Sequence, residues 1–259
     1  MTKFIAVSSG KGGVGKTTTA INLGTAISLF GRQVVVLDSN FATPNINIHL
    51  GAPVVPVTLN DVLRGDKHIT QAVYEHDSGL RIIPANISLD SFNKKDMKRL
   101  KDVILDLESF YDYVIIDTAA GLNDDALVSL KAADEVLIVT NPELPAVTDA
   151  LKTIKTAVKH KATVIGVVVS KVRDDHYELS FNNIESILEY PVIGVIPHDN
   201  TVREALYFKH PLIYTHPKSP ASVAYKKLAA TILGEPYDEA PISTNLGWFG
   251  KLLIGLGLK

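Results

Sequence analysis

The sequence contains no cysteine. Disulfides and thiolate-held metal clusters are therefore excluded, whatever the compartment. An excess of positive charge is missing too: 26 lysines and arginines stand against 28 aspartates and glutamates, for a net charge of −2. The cations are scattered along the chain, so no broad basic face for sequence-independent nucleic-acid binding is expected. There is no uninterrupted apolar run of about 18 residues or more, which a membrane-spanning helix requires. The start, Met1-Thr2-Lys3-Phe4, leads directly into the first expected strand. No signal peptide is expected, and a cytoplasmic location is. The eight histidines show no metal-ligand spacing. What is present is a chain of 259 residues, 46% hydrophobic, which is enough to bury one sizeable α/β core.

Apolar, β-branched runs alternate with helical stretches, the pattern of a parallel sheet covered on both faces. Strands are predicted at 3–8, 33–38, 81–84, 112–117, 135–140, 163–169 and 192–196. Each is short and nearly continuous in Val, Ile and Leu, as strands buried on both faces are. Helices are predicted at 16–30, 58–64, 94–110, 123–132, 145–159, 177–189, 199–208 and 219–233. The expected fold class is α/β: a single-domain, mostly parallel sheet flanked by helices, over residues 1–234. A polar, proline-interrupted linker at 235–245 and a short apolar tail at 246–259 follow.

Residues 10–17, Gly10-Lys11-Gly12-Gly13-Val14-Gly15-Lys16-Thr17, match G-x-x-x-x-G-K-[ST] between a strand and a helix that opens at Thr18. This is the context a phosphate-binding loop requires. The glycines let the backbone wrap closely and aim its N–H groups at one point, which the positive end of the next helix also faces. Lys16 is expected along the terminal phosphates and the Thr17 hydroxyl on Mg²⁺. A lysine at the loop tip, Lys11, has no such role: from there it reaches only solvent or a second molecule.

The run Lys11-Gly12-Gly13-Val14-Gly15-Lys16-Thr17 resembles the deviant Walker A motif of the MinD/ParA family of ATPases. That resemblance implies that Lys11 crosses a homodimer interface to the partner's nucleotide, much as an arginine finger does. The resemblance extends to Val139-Thr140-Asn141-Pro142-Glu143 and Ile193-Gly194-Val195-Ile196-Pro197 and covers residues 3 to about 233. ATP/ADP and Mg²⁺ are the implied cofactors.

In open α/β sheets ligands lie beyond the carboxyl ends of the strands. Asp117 closes Tyr113-Val114-Ile115-Ile116 as a Walker B acid does, and is expected to hold Mg²⁺, through water. Gly121 follows where the family has switch II, and its N–H is expected on the γ-phosphate. Asp38 closes Val34-Val35-Val36-Leu37 and opens a segment, 38–45, resembling switch I; it joins Thr17 and Asp117 as an expected metal-site residue. Where many relatives have a second aspartate, thought to position the attacking water, this chain has Asn40. An amide holds water but takes no proton, so slow, dimer-dependent hydrolysis is expected, with Lys11, Lys16, Asp38 and Asn40 as the catalytic set.

Asn93-Lys94-Lys95-Asp96 matches the guanine-reading N-K-x-D, but it precedes the Walker B strand and opens a helix, so Ser91 or Asn93 reads better as an N-cap. In the MinD/ParA family the adenine is met by an Asn after the strand matching 163–169 and by the loop after the next strand. This chain has Ser170-Lys171 and Pro197-His198-Asp199 there. Ser170, Pro197 and Asp199 are the expected base contacts, and ATP is the expected nucleotide.

In the tail, Trp248, Phe249, Leu252, Leu253 and Leu256 share one helical face. Gly247, Gly250, Gly255 and Gly257 each cost about 1 kcal/mol of helix stability relative to Ala, so this segment is expected to fold only against a surface. With Lys251 and Lys259 it suits an anionic bilayer surface, and it resembles the membrane-targeting tail of MinD-type members. Two tails in one dimer gain avidity of about 10²–10⁴-fold. The expected function is a spatial regulator of cell division or polar positioning that cycles with ATP, with an activating or cargo protein as further partner. The alternative is DNA partition of the ParA kind, which needs a basic dimer surface and no tail.

Overall fold

The computed structural model describes residues 1–51, 55–86 and 94–237. Its strands are β1 (Lys3–Ser8), β2 (Val34–Asp38), β3 (Tyr74–Glu75), β4 (Arg81–Ile83), β5 (Tyr113–Asp117), β6 (Glu135–Thr140), β7 (Thr163–Val172) and β8 (Val192–Pro197). They form one sheet in the order β3-β4-β2-β5-β1-β6-β7-β8. Every pairing is parallel except β3 with β4. Between them run helices α1 (Lys16–Leu29), α2 (Ile46–His49), α3 (Leu59–Arg64), α4 (Lys94–Met97), α5 (Leu100–Leu105), α6 (Asp124–Ala132), α7 (Leu144–Lys159), α8 (Phe181–Leu188), α9 (Thr201–Phe208), α10 (Leu212–Thr215) and α11 (Pro220–Leu233). The expected mostly parallel sheet with helices on both faces is what the chain forms.

Alternation along the central strands divides the apolar side chains between two cores. Phe4, Ala6, Val35, Leu37, Val114 and Ile116 face one side, where α3, α5, α6, α7 and α8 cover them. Ile5, Val7, Val34, Val36 and Ile115 face the other, under α1, α10 and α11. Nearly all these positions are fully buried, each large side chain contributing about 1.5–3 kcal/mol of burial energy. Such two-sided burial explains why the strands read as unbroken hydrophobic runs rather than alternating ones.

Three elements depart from expectation. The helix predicted at 94–110 is two short helices, α4 and α5, parted at Lys98-Arg99. Arg99 turns its guanidinium to the Leu63 carbonyl at 2.7 Å, tying this break to the end of α3. The helix predicted from 177 begins at Phe181, because Ser180 is its N-cap and accepts from the Asn183 N–H, and Glu178 spends its carboxylate on the N–H groups of Arg173 and Asp174. Strand β7 runs three residues past its predicted end, which places Ser170 and Lys171 inside the strand rather than after it. The N-caps proposed at Ser91 or Asn93, most of the linker and the whole apolar tail lie outside the described residues.

Candidate functional site

Strands β1, β2, β5, β7 and β8 deliver the candidate residues to one edge of the sheet, at their carboxyl ends. The loop between β1 and α1 is set by local geometry. Gly13 and Gly15 have φ of 77° and 103°, in the left-handed region that L side chains avoid. Gly10 is required for another reason: a Cβ there would stand 2.2 Å from the Asp149 carbonyl oxygen, so the loop presses directly on the backbone of α7. Ser9 Oγ donates to the Lys11 carbonyl at 2.7 Å and steadies the turn. From outside, Lys171 Nζ donates to the Gly13 carbonyl at 2.5 Å, and Ser170 Oγ donates to that of Val14.

The two lysines of the loop lie in different surroundings. Lys16 is 8% exposed; burial pulls its ammonium below the ordinary lysine range, and Asp117 nearby pulls it back up. Lys11 is half exposed at the tip, its ammonium 3.5 Å from the Glu143 carboxylate at the start of α7. Val14 beside them is buried in the core, while Gly12 meets only the Ala120 methyl, at 3.9 Å from where a Cβ would stand.

Asp38 and Asp117 are register partners on adjacent parallel strands, and both are buried. Burial, and then the neighbouring Asp38 charge, push Asp117 up to about 8, with the Thr17 hydroxyl and Lys16 ammonium opposing. Burial pushes Asp38 up to about 6 against three backbone donors. Those donors distinguish the pair. Asp38 Oδ1 accepts from the Asn40 N–H at 3.0 Å, and Oδ2 from those of Asn45 and Ile46 at 2.9 and 3.0 Å, so Asp38 staples its own turn. Both oxygens of Asp117 are buried and, among the described residues, neither receives a hydrogen bond of good geometry, the Thr17 hydroxyl standing near enough only to favour the charge. A buried carboxylate with no well-formed hydrogen bond, beside a threonine hydroxyl, is a donor set that fits a hard, oxygen-seeking cation such as Mg²⁺.

Asn40 is also turned inward, its Nδ2 donating to the Thr43 carbonyl at 2.7 Å and its Oδ1 accepting from the Thr43 N–H at 3.3 Å. The Gly121 N–H, expected to meet phosphate, donates instead to the Ser9 carbonyl at 3.0 Å. In this conformation the switch II turn is tied to the loop it was expected to serve with an open donor.

A cavity of about 240 Å³ opens beside Gly15 and Thr18, reaching Ser170, Pro197 and Asp199. The structure thus brings together the three residues expected to meet the base. Their side chains are largely committed, however. Ser170 Oγ, besides bonding Val14, is met by the Asn141 amide at 3.1 Å. Asp199 ties the starts of α9 and α11 together, accepting from Thr201 N–H and Oγ1 at 2.9 and 2.5 Å and from the Ala221 N–H at 3.2 Å. These bonds hold its carboxyl below the usual range although burial acts the other way. Sequence reasoning missed Glu143 as the partner of Lys11, Asn141 as the partner of Ser170, and Arg173 and Arg203, which line the same cavity. Only the strand-end position of Arg173, three residues beyond Ser170, offered a signal.

Comparison with known proteins agrees with this geometry. A family model described as an AAA domain matches residues 2–166. A second, for 4Fe-4S iron sulfur cluster binding proteins of the NifH/frxC family, matches residues 105–252, although this chain has no cysteine to ligate a cluster. An uncharacterized ATP-binding protein of Methanocaldococcus jannaschii is 39% identical over 97% of this chain and 96% of its own length. The septum site-determining protein MinD of Bacillus subtilis is 31% identical over the full length of both. Among solved structures, MinD of Pyrococcus horikoshii complexed with Mg-ADP superposes with a TM-score of 0.85 at 31% identity, covering 90% of this chain and 96% of that one. With its P-loop, its tip lysine and its paired strand-end aspartates, the chain belongs to the MinD/ParA family of P-loop ATPases.

Proposed function

We propose that this protein is a MinD-like ATPase that hydrolyses ATP slowly, pairs with a second copy when ATP is bound, and attaches as a dimer to an anionic membrane surface. It then acts as a spatial regulator of cell division or of a polar assembly, moving between cytoplasm and membrane. The observation that carries this reading is the division of labour between two lysines in one loop. Lys16 is buried where phosphates would lie, and Lys11 is half exposed at the loop tip, paired with an exposed carboxylate of its own chain. A half-exposed cation at that place is available to a second molecule.

The P-loop glycines 10, 12, 13 and 15 let the backbone N–H groups surround the phosphates, with Lys16 on the terminal ones, and Lys11 of each protomer would neutralise charge on the nucleotide of the other. Thr17 and Asp117 would hold Mg²⁺, with Asp38 shaping the switch I turn beside it; when bound, the ion neutralises phosphate charge. Hydrolysis consumes one water and gives ADP and phosphate. Asn40, whose amide is turned onto Thr43, could hold the attacking water only by hydrogen bonding and could not take its proton, which supports slow turnover. Trp248, Phe249, Leu252, Leu253 and Leu256 would supply the membrane face, one weak segment per protomer and a firm attachment per dimer.

Co-sedimentation with anionic liposomes tests the cycle, using the full chain and a truncation after Gly234. Pelleting of the full chain with Mg-ATP, reduced with Mg-ADP and lost on truncation, is expected. Equal pelleting in both nucleotide states, or of the truncated chain, contradicts the reading.

A further inference from the structure

We propose that Ser170 and Lys171 are positioning residues for the phosphate loop, holding two of its carbonyls so that the N–H groups of Val14 and Gly15 face the bound phosphates. The inference rests on the nucleotide-binding reading above and gives these side chains a task there other than contact with the base.

A trans peptide points its carbonyl and its N–H in opposite directions, and the chain has no cis peptide bond among the described residues. Whatever holds the carbonyl of one residue therefore aims the N–H of the next. The Gly13 carbonyl accepts from Lys171 Nζ at 2.5 Å and the Val14 carbonyl from Ser170 Oγ. The Gly15 carbonyl accepts from the Thr19 N–H at 2.8 Å, at the start of α1. Three consecutive carbonyls are held, which fixes the directions of the Val14, Gly15 and Lys16 N–H groups. The last of these points out of the amino end of α1, where an anion is favoured, and the grips from β7 bring the two before it into one concave set. Glycines 13 and 15 lack a Cβ to restrict the peptides around them, so an outside hold has work to do. Ser170 is buried, and its oxygen accepts from the Asn141 amide at 3.1 Å. Its proton is left for Val14, since the Thr140 carbonyl is farther away, at 3.2 Å.

The backbone of Lys171 is the second observation. Of the residues other than glycine with positive φ, Lys161, Glu189 and Lys209 follow helices and Asp174 lies in a loop, whereas Lys171, at 60°, stands inside a strand. There β7 slips against β8: Ser170 pairs with Ile196 and Val172 with the next residue, Pro197, which leaves Lys171 as the extra residue of a bulge. A lysine in the left-handed region carries strain that a glycine would not, and a bulge re-aims the side chain it bears. Here that side chain is brought to the Gly13 carbonyl.

Three variants of the full chain test the inference by calorimetric titration with Mg-ADP. Lys171→Met keeps the side-chain length and removes the donors, and is expected to bind about tenfold more weakly. It is also expected to move the amide nitrogen resonance of Val14 in the nucleotide-free protein, because that nitrogen shares a conjugated peptide with the Gly13 carbonyl. Lys171→Arg restores a donor and is expected to bind within about threefold of the wild type. Lys171→Gly relieves the backbone, so it is expected to melt no lower than the wild type while binding as weakly as Lys171→Met. Unchanged affinity in Lys171→Met overturns the inference. So does weaker binding with the Val14 resonance unmoved, which would put the ammonium on the nucleotide itself. A wild type that takes up no Mg-ADP removes the nucleotide reading and this inference with it.

Discussion

The Lys11 ammonium lies 3.5 Å from the carboxylate of Glu143 in the same chain, with about half of each side chain open to solvent. An exposed pair of this kind contributes about 1 kcal/mol at most, so it restrains the lysine without trapping it. Lys11→Ala is therefore expected to leave the melting temperature almost unchanged while abolishing ATP-dependent dimerisation. Glu143→Gln is expected to keep the dimer. Light scattering behind gel filtration checks both, and a Lys11→Ala protein that still pairs with Mg-ATP contradicts the role given to the loop tip.

Gly10 is expected to tolerate no side chain. Its Cβ would lie 2.2 Å from the backbone oxygen of Asp149, and backbone cannot swing aside as a flexible side chain does. Gly10→Ala should push the loop away from α7, costing about 1–3 kcal/mol of stability and most of the nucleotide affinity. Thermal melts with and without Mg-ADP measure the two effects separately; a variant with unaltered nucleotide stabilisation contradicts the packing argument.

Asn40→Asp restores a group able to take a proton from water. Single-turnover hydrolysis is expected to rise about tenfold or more, less than general-base catalysis gives at its fullest because phosphoryl transfer depends mainly on positioning. An unchanged rate would show that the amide already does all that this position does.

The buried carboxylate of Asp117 makes stability depend on pH. Its folded value of about 8 lies above the ordinary 3.8, so between those limits the folded chain keeps a proton that the unfolded chain has lost. Without nucleotide, stability therefore falls as pH rises from about 4 to about 8, and Asp38 adds to the fall up to about 6. A cation on Asp117 must displace that proton, so stabilisation by Mg-ADP is expected to grow over the upper part of the range. Asp117→Asn should flatten the first dependence and remove most of the second. Melting curves at pH 5, 6, 7 and 8 provide the check, and a nucleotide-free protein that becomes more stable towards pH 8 contradicts it.

Much of this architecture was legible because its signals are local. The unbroken Val-Ile-Leu runs gave β1, β2, β4 to β8 within a few residues, and the loop motif placed Lys16 and Thr17 without any tertiary information. What escaped was either too short or too distant. Helices α2 and α10 have four residues each and β3 two, too few for a period to show. The break between α4 and α5 depends on Arg99 finding a carbonyl on another helix. Ser170 reads as a base contact because its place after an apolar strand is visible, while its bond to Val14, 156 residues earlier, is not. In the same way Gly121 reads as a phosphate donor until the fold gives its N–H to Ser9.

The central claim is that this protein reports the state of its bound triphosphate by pairing with a copy of itself. Sedimentation velocity on the full chain, with Mg²⁺ and either the β,γ-imido analogue of ATP or ADP, tests it most directly. The account predicts a dimer with the triphosphate analogue and a monomer with ADP; one and the same mass in both nucleotides, with binding of each verified, would contradict it.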